Sequence, residues 1–185
     1  MVLASIALTT PWEIEWMTRG VGVFFPEAWS RFCAGVPEGG RAGNLAAAYH
    51  RRLMDPDPAV HEQAARDWCD WELAVVQLHP SQKAPPQFEE AAFRLGFARL
   101  VTHYWSHQAW LEDGELLRNA HRLAGIPGVL VHGRLDLGCP LSIAWQLAQH
   151  WPGSELVTVE QAGHGGRDPS MNECVQAARD RFAGR

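Results

Sequence analysis

The sequence predicts an α/β protein in which helices cover a parallel sheet and a long helical segment is inserted between the strands. Two successive strand-loop-helix units begin near residue 126. Parallel strands need a crossover connection, which is usually a helix, so repeated units of this kind favour a parallel sheet. A lone apolar strand lies at the N-terminus, more than a hundred residues before these units.

The N-terminal strand is VLASIAL at residues 2–8, a short apolar run that ends at Thr9, Thr10 and Pro11. Residues 12–123 then follow a helical periodicity. This segment holds seven of the nine tryptophans, and Pro-rich breaks such as DPDP and KAPPQF divide it. Its main predicted helices are EAWSRFCAGV, NLAAAYHRRLM, AVHEQAARDWCDWELAVVQL and EEAAFRLGFARLVTHYW.

The C-terminal region alternates between strands and helices. Its first unit is the strand GVLVH, the loop GRLDLGCP and the helix LSIAWQLAQHW; the second is ELVTVE, QAGHGGRDPS and MNECVQAARDRF. We therefore divide the chain into a sheet strand at 1–11, a helical domain at 12–123 and a sheet-containing core at 124–185.

Composition excludes several classes of function. The net charge of −5 is spread along the chain without the Lys/Arg clusters that a phosphate backbone requires, so we expect no nucleic-acid partner. The longest apolar run, MVLASIAL, is far shorter than the roughly 20 residues that cross a bilayer, so no membrane partner is expected. Four cysteines without a C-x-x-C pair favour neither zinc nor a disulfide framework and indicate a reduced, cytoplasmic protein.

Two loop residues are candidates for catalysis. Asp136 follows the strand GVLVH, and His164 follows ELVTVE. Functional residues collect at the carboxyl ends of parallel strands, although one Asp and one His in loops are also compatible with a structural or solvated role. The order Asp then His is that of the α/β-hydrolase triad, in which the carboxylate orients the imidazole and the imidazole takes a hydroxyl proton.

The third member of such a triad is not found in these 185 residues. None of the seven serines has glycine at both −2 and +2, as the G-x-S-x-G turn requires. Ser5 lies inside the apolar strand, and Ser142 lies in the first turn of a predicted helix, where capping is the more common role. We therefore expect the 185 residues alone to lack hydrolase activity that depends on such a triad.

The chain resembles the C-terminal part of proline iminopeptidases, also called prolyl aminopeptidases, over nearly all of its length. The resemblance is carried by RGVGVFFPEAWSRF at 19–32, AAYHRRLMDPDP at 47–58, AARDWCDWE at 64–72, HYW at 103–105, IPGVLVHGRLDLGCPLSIAWQLAQHWP at 126–152 and the final GH. It implies an α/β-hydrolase fold with a helical cap at 12–123, of which this chain holds the C-terminal part. It also implies a serine peptidase that releases N-terminal proline from peptides and needs no metal or cofactor.

The resemblance also implies roles for four residues. Asp136 is the triad acid and His164 the general base, while Glu72 binds the free α-amine of the substrate and Cys139 lies near the prolyl pocket. A carboxylate suits a cationic N-terminus in a partly dry site. From the residues alone, Glu72 is also compatible with a polar position on an amphipathic helix. Cys139 is also compatible with a small buried thiol.

Two positions depart from the family pattern. Where relatives commonly have a second amine-binding glutamate, this sequence has Val101, which puts strict aminopeptidase specificity in doubt. Gly165 follows His164 where the family often has Ser or Thr.

Two alternative functions stay open, a non-catalytic binding module derived from an α/β-hydrolase and an esterase-like hydrolase. In addition, a sheet of only three strands leaves an edge unpaired, so we expect the chain to self-associate through that edge.

Overall fold

The computed structural model describes residues 1–76, 84–165 and 168–184. The chain forms two compact units. One comprises Met1–Leu8 and Leu111–Arg185 and contains the sheet; the other, Thr9–Trp110, is helical.

The sheet unit contains three parallel strands, β1 (Val2–Ala4), β2 (Gly128–Gly133) and β3 (Ser154–Val159). Their order in the sheet follows their order in the chain, so that β2 lies between β1 and β3. Val129 pairs with Val2 on one side and with Glu155 on the other. The predicted α/β class, with parallel strands and flanking helices, is confirmed.

The first strand is shorter than the sequence predicts. We expected a strand over residues 2–8, whereas β1 ends at Ala4 because the next residue, Ser5, adopts a φ of 49°. A positive φ is incompatible with an extended strand, and in a residue other than glycine it carries a conformational cost. Ile6 and Leu8 are nevertheless buried, with 6% and 8% of their surface exposed. The apolar run therefore correctly indicated burial, but not a continuous strand.

Two apolar clusters form the core of the sheet unit. One joins Leu130 of β2 to Ile143 and Leu147 of helix α8 (Leu141–His150), and the other joins Val129 and Val131 to the C-terminal helix α9 (Pro169–Ala183). Successive side chains of a strand point to opposite faces, so helices cover β2 on both sides. Full burial of each such aliphatic side chain contributes roughly 1.5–3 kcal/mol.

The segment before β2 belongs to the sheet unit. It contains helix α7 (Glu115–Asn119) and a 3₁₀ turn at Ala120–Leu123. Trp151 anchors this segment, because its indole N–H lies 3.1 Å from the carbonyl oxygens of both Leu123 and Ile126. A Cβ on Gly128 would lie 2.5 Å from the Trp151 ring, so only glycine fits at the start of β2. The sequence-based division placed residues 111–123 in the helical domain, whereas these contacts group them with the sheet.

The helical unit contains six α-helices in its described part. Their bounds are α1 (Pro11–Thr18), α2 (Pro26–Ala34), α3 (Glu38–Arg41), α4 (Leu45–Leu53), α5 (Pro58–Val76) and α6 (Ala91–Ser106). Shorter 3₁₀ helices lie at Gly20–Phe24, Pro86–Glu89 and Gln108–Trp110. The last two residues of the predicted α5 segment, 77 and 78, fall outside the described residues.

Side-chain caps explain where several of these helices begin. The side chain of Thr10 accepts a hydrogen bond from the amide of Glu13, whose own carboxylate accepts one from the Thr10 amide, so α1 begins with a complete capping box. The side chain of Asn44 caps α4 in the same sense by accepting from Ala47. Each cap satisfies an amide that the helix itself leaves unpaired, which contributes about 1 kcal/mol.

An aromatic cluster forms the core of the helical unit. Phe32 stacks on Tyr49 with ring centroids 4.6 Å apart and on Trp71 at 5.2 Å, while Trp68 meets both Phe32 and Tyr49 edge-on. The polar atoms of these rings are also paired. The Tyr49 hydroxyl donates to the Phe32 carbonyl at 2.6 Å, and the Trp71 indole donates to the Met17 carbonyl at 2.9 Å. Helices α1, α2, α4 and α5 are thereby held together.

None of the helices in the described part of the chain combines the length and apolar character needed to cross a membrane.

Candidate active site

Asp136 and His164 form a hydrogen-bonded pair at the carboxyl edge of the sheet. Nδ1 of His164 lies 2.9 Å from Oδ2 of Asp136. The Asp136 side chain is fully buried, whereas a third of the His164 side chain is exposed. The two residues follow neighbouring parallel strands, β2 and β3, and this explains how residues distant in the chain meet. A carboxylate bonded to Nδ1–H leaves Nε2 as the nitrogen that can accept a proton.

Backbone contacts hold the two loops together. The amide of Leu135 donates to the carbonyl of Ala162 at 2.9 Å. At Gly133 the loops approach so closely that an added Cβ would lie 2.3 Å from the Gly163 carbonyl oxygen and 2.4 Å from that of Ala162. Glycine is therefore required in the motif H-G-R-x-D, because any side chain would separate Asp136 from His164.

A second histidine supports the aspartate loop. His132 is fully buried in β2, where its Nδ1 accepts from the Ile6 amide at 3.2 Å and its Nε2 donates to the Cys139 carbonyl at 2.7 Å. In this pattern Nδ1 is the acceptor of the ring and Nε2 is its donor. The same Nε2 lies 3.5 Å from Oδ2 of Asp136. Our sequence reasoning did not identify His132, although the motif H-G-R-x-D begins with it.

The carboxylate of Asp136 is bound at both oxygens. Oδ1 accepts from the backbone amide of Cys139 at 2.8 Å, while Oδ2 faces His164. Such a carboxylate cannot rotate without losing a hydrogen bond, so it fixes the orientation of the imidazole.

The pKa of His164 reflects two opposing effects. Desolvation by the surrounding protein lowers it, but hydrogen bonds to the side chains of Asp136 and Cys139, together with the charge of Asp136, outweigh desolvation and raise the pKa from 6.5 to about 10. The imidazole in this environment is therefore protonated at neutral pH.

Cys139 lies in contact with the pair rather than elsewhere in the core. Its side chain is half-buried and hydrogen-bonds to His164, and its backbone amide and carbonyl bind Asp136 and His132. The structure thus brings together three of the four residues predicted for the site: Asp136, His164 and Cys139.

Ser5 holds the histidine loop from the side of β1. Its hydroxyl oxygen accepts a hydrogen bond from the amide N–H of Gly165, with 3.0 Å between oxygen and nitrogen. Gly165 has a φ of +82°, a conformation that Ser or Thr would adopt less easily than glycine. The contact between Ser5 and Gly165 could not be read from the sequence, because the two residues lie at opposite ends of the chain.

Glu72 belongs to the helical unit. It lies in the last part of α5, is half-buried, and its Oε1 accepts from the indole of Trp68 at 2.8 Å. The bond spans one helical turn and fixes one carboxylate oxygen. Val101 is half-buried in α6.

The described residues contain no group of three or more His, Cys, Asp or Glu side chains placed to hold a metal ion. The polar groups at the carboxyl edge of the sheet are instead arranged for proton transfer, with an imidazole oriented by a buried carboxylate.

Comparison with known proteins gives two kinds of match. The Abhydrolase_4 family model, described as TAP-like protein, matches residues 99–183. Among curated proteins, the "Probable proline iminopeptidase" of Streptomyces coelicolor is 46% identical, over 99% of this chain and 57% of the relative. The "Proline iminopeptidase" of Xanthomonas citri is 40% identical, over 99% and 59%, and that of Arabidopsis thaliana is 34% identical, over 98% and 48%.

The chain thus spans between 48% and 59% of the length of these curated relatives. The resemblance inferred from the sequence is confirmed by these matches, and the parallel sheet with flanking helices agrees with an α/β-hydrolase. The chain is therefore related over nearly its whole length to the proline iminopeptidases, as the counterpart of the C-terminal part of these α/β-hydrolases.

Proposed function

We propose that Asp136 and His164 supply the acid and the base of the catalytic triad of a proline iminopeptidase, a serine peptidase that releases N-terminal proline from peptides. The observation that carries the proposal is the 2.9 Å contact between His164 Nδ1 and buried Asp136, in a chain related throughout to enzymes of that name. The nucleophilic serine is assigned to a G-x-S-x-G turn in the region of the relatives that the match does not cover.

In the proposed mechanism, Asp136 holds the Nδ1–H tautomer of His164 and stabilises the imidazolium. Nε2 of His164 takes the proton of the serine hydroxyl as the hydroxyl attacks the carbonyl carbon of the N-terminal proline. Nε2 then gives that proton to the leaving amine, and the proline acyl group remains on the serine as an ester. Water hydrolyses the ester by the same proton relay in reverse order. No metal or organic cofactor enters these steps.

The pKa of His164 sets a condition on this mechanism. A general base must be neutral, yet a pKa of about 10 keeps the imidazole charged at neutral pH. A third of the side chain is exposed in the chain described here. Further desolvation by protein packed on this face would lower the pKa, because burial disfavours the charged imidazolium. We propose that packing of the serine-bearing region performs this adjustment.

Substrate recognition is assigned to Glu72 and Cys139. The carboxylate of Glu72 is proposed to bind the free α-amine, and its bond to Trp68 supports this by holding the carboxylate in one orientation. Cys139 is proposed to line the prolyl pocket, which its contact with His164 supports. The absence of a carboxylate at Val101 leaves amine recognition to Glu72, with weaker selectivity than two carboxylates would give.

The proposal is tested by adding the part of a relative that the match with this chain does not cover. The N-terminal part of the Streptomyces coelicolor relative, which lies outside the match, is fused to Met1 of this chain, and hydrolysis of a chromogenic proline amide is measured. We expect turnover in the fusion and its loss, by about 10⁴-fold or more, in Asp136→Asn and His164→Ala.

Two outcomes would contradict the proposal. If a folded fusion has no activity on proline amides, the binding-module alternative gains support. If the fusion cleaves short-chain esters but not proline amides, the esterase-like alternative gains support. Asp180→Asn, a change at an exposed position of α9, is the matched control and is expected to retain activity.

We further propose a cytoplasmic location and self-association of the 185-residue chain. None of the four cysteines, all of which lie in the described residues, forms a disulfide bond, which supports a reducing compartment. In the described sheet β1 pairs only with β2, which supports association through its other edge. Neither nucleic acid nor a membrane is a proposed partner.

A further inference from the structure

A concave surface of the helical unit concentrates positive charge. It has a volume of about 540 Å³, and its lining includes Arg31 of α2, Arg41 of α3, Arg52 of α4 and Asp67 of α5. Three arginines and one aspartate give this lining a net charge of +2, in a protein whose overall charge is −5. The arginines therefore give this surface a positive electrostatic potential, although the net charge of the protein is negative.

The arginines of this concavity are not neutralised by ion pairs. Within residues 1–76, 84–165 and 168–184, none of the three forms a salt bridge with a carboxylate. Asp67 is close enough to feel the charge of Arg52, but burial raises the pKa of the Asp67 carboxyl even against that charge and a hydrogen bond from Gln63. The aspartate therefore offsets only part of the positive charge.

One guanidinium nitrogen has a donor that the described residues leave unused. Nε of Arg52 is shielded from solvent and, among these residues, has no hydrogen-bond partner. Buried polar groups are rarely left unpaired, so the Arg52 guanidinium group has a capacity for hydrogen bonding that the described residues do not use. Arg41 is held in place by a bond from its Nε to the Val36 carbonyl at 2.8 Å.

We propose that this concavity binds a phosphate-type dianion, such as the phosphate group of a small phosphomonoester. The guanidinium group is planar and presents paired N–H donors that match the oxygens of phosphate. A net charge of +2 on the lining complements a charge of −2 on the ligand. The volume of about 540 Å³ is larger than phosphate requires and leaves room for the organic part of a phosphomonoester.

The experiment uses inorganic phosphate as the probe, at pH 8 and at constant ionic strength, with the full 185-residue chain. Isothermal titration calorimetry measures affinity, and ¹H–¹⁵N spectra of the arginine Nε–H groups report which guanidinium groups respond. We expect a saturable shift of the Arg52 Nε–H resonance. Arg31→Gln and Arg41→Gln should each weaken phosphate binding by about tenfold or more, because each removes a charge-assisted hydrogen bond.

Arg51→Gln is the matched control. Arg51 is exposed, lies next to Arg52 on α4 and does not line the concavity, so the control makes the same charge change outside the site. We expect it to bind phosphate as the unmodified chain does. If Arg51→Gln and Arg41→Gln weaken phosphate binding equally, the binding depends on the overall charge and not on the concavity, and the proposal is overturned. Equal responses to phosphate and to acetate would overturn the assignment of a dianion.

Discussion

His164 Nδ1 and Asp136 Oδ2 lie 2.9 Å apart, and the carboxylate of this pair is fully buried while the imidazole is partly exposed. The arrangement makes the imidazole a stronger base than a free histidine. It also makes the stability of the sheet unit depend on the protonation of His164.

We expect stability to fall at alkaline pH because of this pair. The folded-state pKa of His164, about 10, lies above the unfolded value of 6.5, so protonated His164 stabilises the fold fully below pH 6.5 and loses that contribution as pH rises through 10. The measurement is the melting temperature between pH 6 and pH 10.5. The His164→Gln variant should lack this part of the pH dependence, and an identical profile in both proteins would contradict the prediction.

Asp136→Asn should lower the pKa of His164 toward its usual value, since the charge and hydrogen bond of the carboxylate raise it. Titration of the histidine ring resonances by NMR measures this directly. Cys139→Ser distinguishes the contribution of the thiol, and we expect a smaller decrease from it. A larger effect of Cys139→Ser would mean that the thiol, and not the carboxylate, sets the protonation of His164.

His132→Ala should destabilise the protein by roughly 2–5 kcal/mol, because it opens a cavity and leaves two buried backbone groups without partners. Urea denaturation measures this change. The control is His150→Ala, which removes an exposed ring of α8. A positioning role predicts that folded His132→Asn also shifts the NMR pKa of His164, whereas an unchanged pKa would limit His132 to a contribution to stability.

We expect the purified 185-residue chain to show no turnover of a chromogenic proline amide. Two triad groups without a nucleophile cannot form the acyl-enzyme. Any turnover that disappears in Asp136→Asn would reveal a nucleophile among the seven serines or four cysteines.

Glu72→Gln in the fusion should raise KM for proline amides with a free N-terminus by about tenfold or more, and should affect N-blocked substrates little. Glutamine keeps an oxygen that can accept from the Trp68 indole, while the negative charge proposed to bind the amine is lost. Asp70→Asn, at an exposed position of α5, is the control. Equal effects on both substrates would assign Glu72 a structural role. Val101→Glu should increase selectivity for the free amine.

Much of the fold follows from patterns that are local in the sequence. The strands β2 and β3 and the helices α8 and α9 are short periodic segments between loops, and the pairing of Asp136 with His164 follows from the common edge of parallel strands. The features of the fold and the site that were not predicted depend on contacts between residues that are distant in the sequence. The early end of β1 depends on the backbone angle of Ser5, and the role of His132 depends on Ile6, 126 residues away.

The insertion of the helical unit between β1 and β2 has a consequence for the order of folding. During synthesis, β1 emerges before the helical unit, whereas β2, the strand with which it pairs, emerges after that unit. The intervening helices contact one another over short sequence distances and can fold in the meantime. We infer that the helical unit can fold on the ribosome before β1 pairs with β2.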